Sequence, residues 1–183
     1  GGERVPCPWT GDRGMSDLTQ ALVNAGLLLP DEETWAPRPL PYVSRKALKR
    51  VTNAAPVPVE CPICGGMPRY VDNAEIYGGR RFGDWPYALA CDSCDAYVGL
   101  HPYTDIPLGT LADKELREAR KAGKAAFISL CKRHDWIRSQ GYGWLAEQLG
   151  ISRSECHWGW FDLSMCQRAA EKCQSALDME AAK

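Results

Sequence analysis

The sequence predicts an α+β fold: a small three-stranded zinc ribbon packed against a mainly helical C-terminal domain, with an extended Pro-rich N-terminal strap. Three observations carry this. Two Cys-x-x-Cys pairs, Cys61/Cys64 and Cys91/Cys94, are separated by 26 residues that include strand-like runs. From Thr110 onward the apolar residues recur at helical spacing. Between them and the N-terminus, Pro37, Pro39 and Pro41 stand too densely for a helix or a central strand. The expected organisation is residues 1–57 as leader, short helix and strap, 58–109 as zinc ribbon and 110–183 as helical domain.

Composition narrows the function classes. Hydrophobic residues make up 45% and charged residues 25% of 183 positions, ordinary values for a folded chain, so global disorder is excluded. The formal net charge is −1, which removes any overall electrostatic attraction to nucleic acid, so such binding needs a local patch. Nine cysteines, an odd number, argue against a complete disulfide framework and suit a reducing compartment. No run of ~18 apolar residues could span a membrane, and no charged-then-apolar signal opens the sequence. A cytoplasmic protein is expected.

Taken in order, residues 1–14 carry two prolines and four glycines without periodicity and read as a leader, with Met15 as the natural start. Ser16 caps an expected helix that Gly26 stops, and Leu27–Leu29 form an apolar exit. The strap over 31–44 carries Trp35 and Tyr42, aromatics expected to dock on the main body or, as candidate partner-binding residues, on a partner. Ser44 then caps a short basic helix with Arg45, Lys46, Lys49 and Arg50.

The cysteine pairs are the strongest chemical signal. A Cys-x-x-Cys turn aims two sulfurs at one point, and four thiolates complete a closed tetrahedral zinc site. Cys61, Cys64, Cys91 and Cys94 are therefore the expected ligands of one structural Zn2+, in preference to two disulfides or a redox pair, which comes singly. Gly65 and Gly66 follow the first pair, where the knuckle turns backbone N–H groups towards sulfur. With four protein ligands, no position remains for a catalytic water.

Within the ribbon, one or two short strands are expected over 69–71 and 74–77, then strands at 85–90 and 96–101. Arg80 and Arg81 sit at a glycine-flanked tip beside Tyr77, Phe82 and Trp85, the pairing of cation and aromatic that holds phosphates and stacks bases. Thr110-Leu-Ala-Asp113 fits a capping box for a long helix, and Ala112, Leu116, Ala119, Gly123, Ala126, Phe127 and Leu130 trace its apolar face. Arg117, Arg120, Lys121 and Lys124 form a basic stripe, partly offset by Asp113–Arg117 and Lys114–Glu118 pairs, and complete the candidate nucleic-acid-binding set with Arg80 and Arg81.

Two further motifs are weaker. Trp144–Ser152 resembles the first helix and turn of a helix-turn-helix, with Arg153, Ser154 and Glu155 as the would-be base readers, although Gly159 and the bulky Trp158, Trp160 and Phe161 suit a core better. Cys131 and His134 have metal-pair spacing that Cys156, His157 or Cys166 could complete. Catalytic signals are sparse: only His101, His134 and His157 could act as bases, and His101 has Asp105 nearby in sequence to orient it.

The run from Cys61 to Gly66, Ile76-Tyr77-Gly78, Cys91 to His101 and Pro107 to Arg117, with Tyr142–Ala146, Leu149–Ile151 and His157–Asp162 further on, resembles a family of phage and prophage zinc-finger-containing proteins. The resemblance spans about residues 60–170 and implies a structural zinc and a phage setting, hence the host cytosol, but no reaction.

Together these features point to an accessory binding protein without catalytic function that contacts nucleic acid or a nucleoprotein complex. The alternative is a protein-protein inhibitor of a host enzyme or defence complex acting through the Pro/Trp strap. A weaker one is a nuclease-like enzyme using His101.

Overall fold

The computed structural model describes residues 33–181. The leader, Met15 and the helix expected after Ser16 lie outside them. Strands β1 (Glu33–Thr34) and β2 (Val43–Ser44) pair antiparallel, so the proline-rich stretch folds back as a hairpin instead of running on as an extended strap. Proline has no N–H to give a ladder, which confines the pairing to two residues on each side. Leu40 and Val43 point inward and join Cys61, Leu89, Cys91, Ala96, Leu100 and Leu111 in one core. The hairpin therefore shares the core of the ribbon. Ser44 donates its N–H to the Tyr103 carbonyl at 2.8 Å, and its hydroxyl accepts from Ala47 at 3.3 Å. That caps α1 (Arg45–Leu48), a single turn.

The ribbon sheet is β3 (Pro68–Asp72), β4 (Tyr87–Cys91) and β5 (Tyr97–Gly99), antiparallel in the order β3-β4-β5. Its register sets Pro68 opposite Cys91 and Ala90 opposite Tyr97, which brings both ends of the metal site to one edge of the sheet. The strand expected at 74–77 is instead a 3₁₀ turn, Asn73–Glu75. Local side-chain bonds win there over a ladder. Asp72 accepts from the Ala74 N–H at 3.0 Å, and Asn73 bonds both the carbonyl and the N–H of Phe82.

Three helices follow: α2 (Lys114–Arg133), α3 (Arg138–Leu149) and α4 (Leu163–Ala181). The cap of α2 lies three residues later than the sequence motif suggests, because Asp113, not Thr110, accepts the Leu116 N–H at 2.9 Å. Phe127, Leu130, Tyr142, Leu145, Trp158 and Phe161 are buried between the helices with Cys156, Cys166 and Cys173. Gly123 is the point on α2 where the Trp158 indole lies flush: a Cβ there would come within 2.6 Å of its Cη2. The ribbon meets the helices where Gly109 crosses Gly159, with the Thr110 N–H on the Gly159 carbonyl at 2.9 Å. A side chain on Gly109 would drive into that carbonyl.

The helix-turn-helix expectation fails. Gly150, at φ 68°, closes α3 in the left-handed conformation, but residues 152–160 form turns and no reading helix. Ser152 and Glu155 do exchange the reciprocal bonds of a capping box. No helix propagates from it, because buried Cys156 and Trp158 hold the chain in turns against the core.

Candidate metal centre

The metal site is built from two knuckles. In the first, the Gly65 N–H returns to the Cys61 carbonyl at 2.8 Å, the Cys61 N–H binds the Gly66 carbonyl at 2.7 Å, and Gly65 adopts φ 75°. That conformation explains the glycine. The Gly66 N–H then reaches Cys64 Sγ at 3.4 Å. In the second knuckle the Ser93 N–H reaches Cys91 Sγ at 3.3 Å. Such N–H···S bonds stabilise thiolates and orient them.

The four sulfurs lie within 4.8 Å of one another, with Cys61–Cys94 at 3.8 Å and Cys64–Cys91 at 3.5 Å. A tetrahedral ion with Zn–S bonds of about 2.3 Å sets its sulfur edges at about 3.8 Å, so the cluster has the size zinc requires. Electrostatics agree. The Ser93 N–H draws the Cys91 thiol down to about 7, against the cost of burial. At Cys94 the Ala96 N–H favours the thiolate, but burial and the neighbouring sulfurs outweigh it and push the thiol up to about 12. Four adjacent thiols cannot all ionise without a dication between them. The residues fit one structural zinc ion, which would cross-link the knuckle before β3, the end of β4 and the loop before β5.

Asp92 and Asp95 are supporting residues that cysteine spacing alone misses. The Asp92 carboxylate accepts from the Ser93 hydroxyl at 2.6 Å and from the Met67 N–H at 3.0 Å, tying one knuckle to the other, and its pKa is lowered by those bonds. Asp95 accepts from the Lys114 N–H at 3.0 Å and pairs with Arg117 at 3.0 Å. The second knuckle is thereby pinned to the start of α2.

The expected nucleic-acid residues divide into two groups. Arg117 lies 4.1 Å over the Tyr97 ring and donates to the Ala112 and Asp95 carbonyls as well as to the Asp95 carboxylate. Arg120 spends its guanidinium on the Phe161 carbonyl, the Thr110 carbonyl and the Thr110 hydroxyl, and burial lowers its pKa. Both are joints inside the molecule. Arg81 is exposed and pairs with Asp72. Arg80, Lys121 and Lys124 are exposed and have no acidic partner among the described residues.

Of the strap aromatics, Trp35 is 76% exposed, whereas the Tyr42 ring packs 5.6 Å from Trp85 in a cluster with Tyr87 and Tyr103. His101 is half-buried and forms no pair with Asp105, whose carbonyl takes the Tyr70 hydroxyl instead. Burial lowers the His101 pKa. Cys131, His134, Cys156 and Cys166 do not gather into a second metal cluster: among the described residues, only the four ribbon cysteines do. No helix among the described residues is long and apolar enough to cross a membrane.

Comparison with known proteins agrees with this geometry. No curated protein and no solved structure matches the chain. A family model does, over residues 57–176, which takes in the ribbon, α2, α3 and most of α4. The matched span covers well over half of the sequence and includes all four clustered cysteines, so the chain belongs to DUF3268, the family of the zinc-finger-containing domain.

Proposed function

We propose that the protein is an accessory binding protein in which zinc shapes a rigid ribbon, and that its partner is nucleic acid or a nucleoprotein complex. The observation that carries this reading is the set of outward cations left without acids, Arg80 at the ribbon tip and Lys121 and Lys124 on α2. Arg80 lies in sequence between an exposed aromatic pair, Tyr77 and Phe82, whose rings meet edge-on at 5.0 Å. Cations beside exposed aromatics serve phosphates and bases together. Because the chain is nearly neutral overall, binding of this kind has to come from local cations such as these.

The test is the salt dependence of binding to labelled oligonucleotides. Replacing Arg80 and Arg81 together by Ala should lower the slope of log K against log salt by roughly 1.4–1.8, two phosphate contacts, and weaken all sequences alike. A second reading rests on the exposure of Trp35: a protein partner, such as a host enzyme or defence complex, anchored by that indole. It predicts salt-insensitive binding that Trp35→Ala abolishes and the arginine pair leaves intact. That outcome would remove the nucleic-acid reading.

A further inference from the structure

The basic stripe of α2 runs through Lys124 to the rim of a groove whose apolar floor none of the assignments above uses. The groove lies between the C-terminal half of α2 and the start of α3 and encloses about 430 Å3, the size of a small-molecule site. Three of its nine lining residues are aromatic, Phe127, Trp136 and Tyr142, and three are cations, Lys124, Lys132 and Arg138, against one acid, Asp135. Lys124 and Lys132 are exposed and form no ion pair among the described residues. They stand eight residues apart on one helix, about 12 Å at 1.5 Å per residue, so they flank the apolar floor instead of crowding one point. Trp136 is held in place: its ring stacks on His134 at 4.3 Å and 12° and lies 5.8 Å from Trp144.

We infer that this groove holds one unstacked base of a single-stranded nucleic acid, with the flanking phosphates on Lys124, Lys132 and Arg138. The inference rests on the nucleic-acid reading above and specifies the form of the strand. A duplex presents a convex backbone with its bases stacked away, so it would meet the cations and leave the apolar floor empty. A splayed base fills the floor while its phosphates reach the rim. An acidic peptide could also satisfy the charges, but aromatic and cationic residues in equal number around one small cavity are the chemistry of a planar ring next to a phosphate.

The experiment uses the full zinc-loaded chain with fluorescein-labelled dT12 and a 12-base-pair duplex. Fluorescence anisotropy should show dT12 binding more tightly than the duplex. Trp136→Ala should weaken dT12 about tenfold or more. The surface pair Lys124→Gln/Lys132→Gln should lower the salt slope by about 1.4 and decides the matter if Trp136→Ala fails to fold. Cys131, half-buried in the groove floor, supplies an independent readout: bound dT12 should slow its alkylation by iodoacetamide. If dT12 binds but neither variant changes its affinity or salt slope, the groove assignment falls while the ribbon-tip reading stands. If neither oligonucleotide binds at low salt, both fall. Protection of Cys131 by polyglutamate and not by dT12 overturns the assignment in favour of a peptide.

Discussion

Arg120 separates a surface cation from a structural joint, and its replacement by Met tests which it is. Met keeps the unbranched apolar stem and removes every donor. The Phe161 and Thr110 carbonyls, now bonded at 2.8–3.0 Å, would lose their guanidinium partner. Each orphaned acceptor costs about 1–3 kcal/mol, so the loss for the two should be about 2–6 kcal/mol. At about 2–4 °C per kcal/mol for a chain of this size, the melting midpoint should fall by roughly 4–24 °C. Arg120→Lys should fall in between, because one ammonium cannot reproduce a fork that reaches two backbone segments. Thermal unfolding by circular dichroism reads the effect. A midpoint within about 1 °C of the parent, together with a shallower salt slope for oligonucleotide binding, would refute the structural role and return Arg120 to the surface stripe.

Cys94→Ser should abolish the one zinc per chain measured by metal analysis and unfold the ribbon, since binding energy and folding energy are shared in so small a lobe; an unchanged melt would overturn this. Gly123→Ala gains about 1 kcal/mol of helix propensity, but the new methyl meets the buried Trp158 indole, and overpacking costs about 1–3 kcal/mol. The midpoint should therefore fall by a few degrees, and a rise would show that the indole can yield. Asp162 accepts the Met165 N–H at 2.7 Å at the start of α4, a bond that lowers its pKa together with the Ser164 hydroxyl. A depressed carboxylate contributes stability above its unfolded pKa and loses it as pH falls through the folded value. Asp162→Ala should cost about 1 kcal/mol at pH 7, and the deficit should shrink by pH 3; an equal deficit at both pH values would refute the assignment.

The metal site was legible because its information is local. Cys-x-x-Cys and the glycines after it specify a turn and its donors within a few residues, and the strands at 68–72 and 87–91 fall on the strand-forming runs read at 69–71 and 85–90. What sequence hid was the destination of long polar side chains. Arg117 and Arg120 look like their exposed neighbours Lys121 and Lys124 on a helical projection. Only the arrival of Asp95 on one side and Phe161 on the other captures them. The Asp113 cap shows the same competition at short range, because the Thr110 hydroxyl that could have capped α2 serves Arg120 instead. The Ser152–Glu155 box fails for the opposite reason: its local bonds form, but Cys156 and Trp158 gain more in the core than a continued helix would give. Exposed Trp35 and half-buried Tyr42, packed on Trp85, could not be told apart, since each is an aromatic among prolines.

The crossing of Gly109 and Gly159 also orders events in time. All four sulfurs lie between residues 61 and 94, so every ligand is available once the ribosome has passed Cys94. The seam with the helices needs Gly159 for its backbone contact and Phe161 for the carbonyl that Arg120 grips, so it stays open until some 65 further residues have emerged. A nascent chain can therefore capture its ion well before the rest of the molecule exists to shield it. The closure of α2 against Trp158 belongs to a later step, because that indole lies in the same late stretch as Gly159.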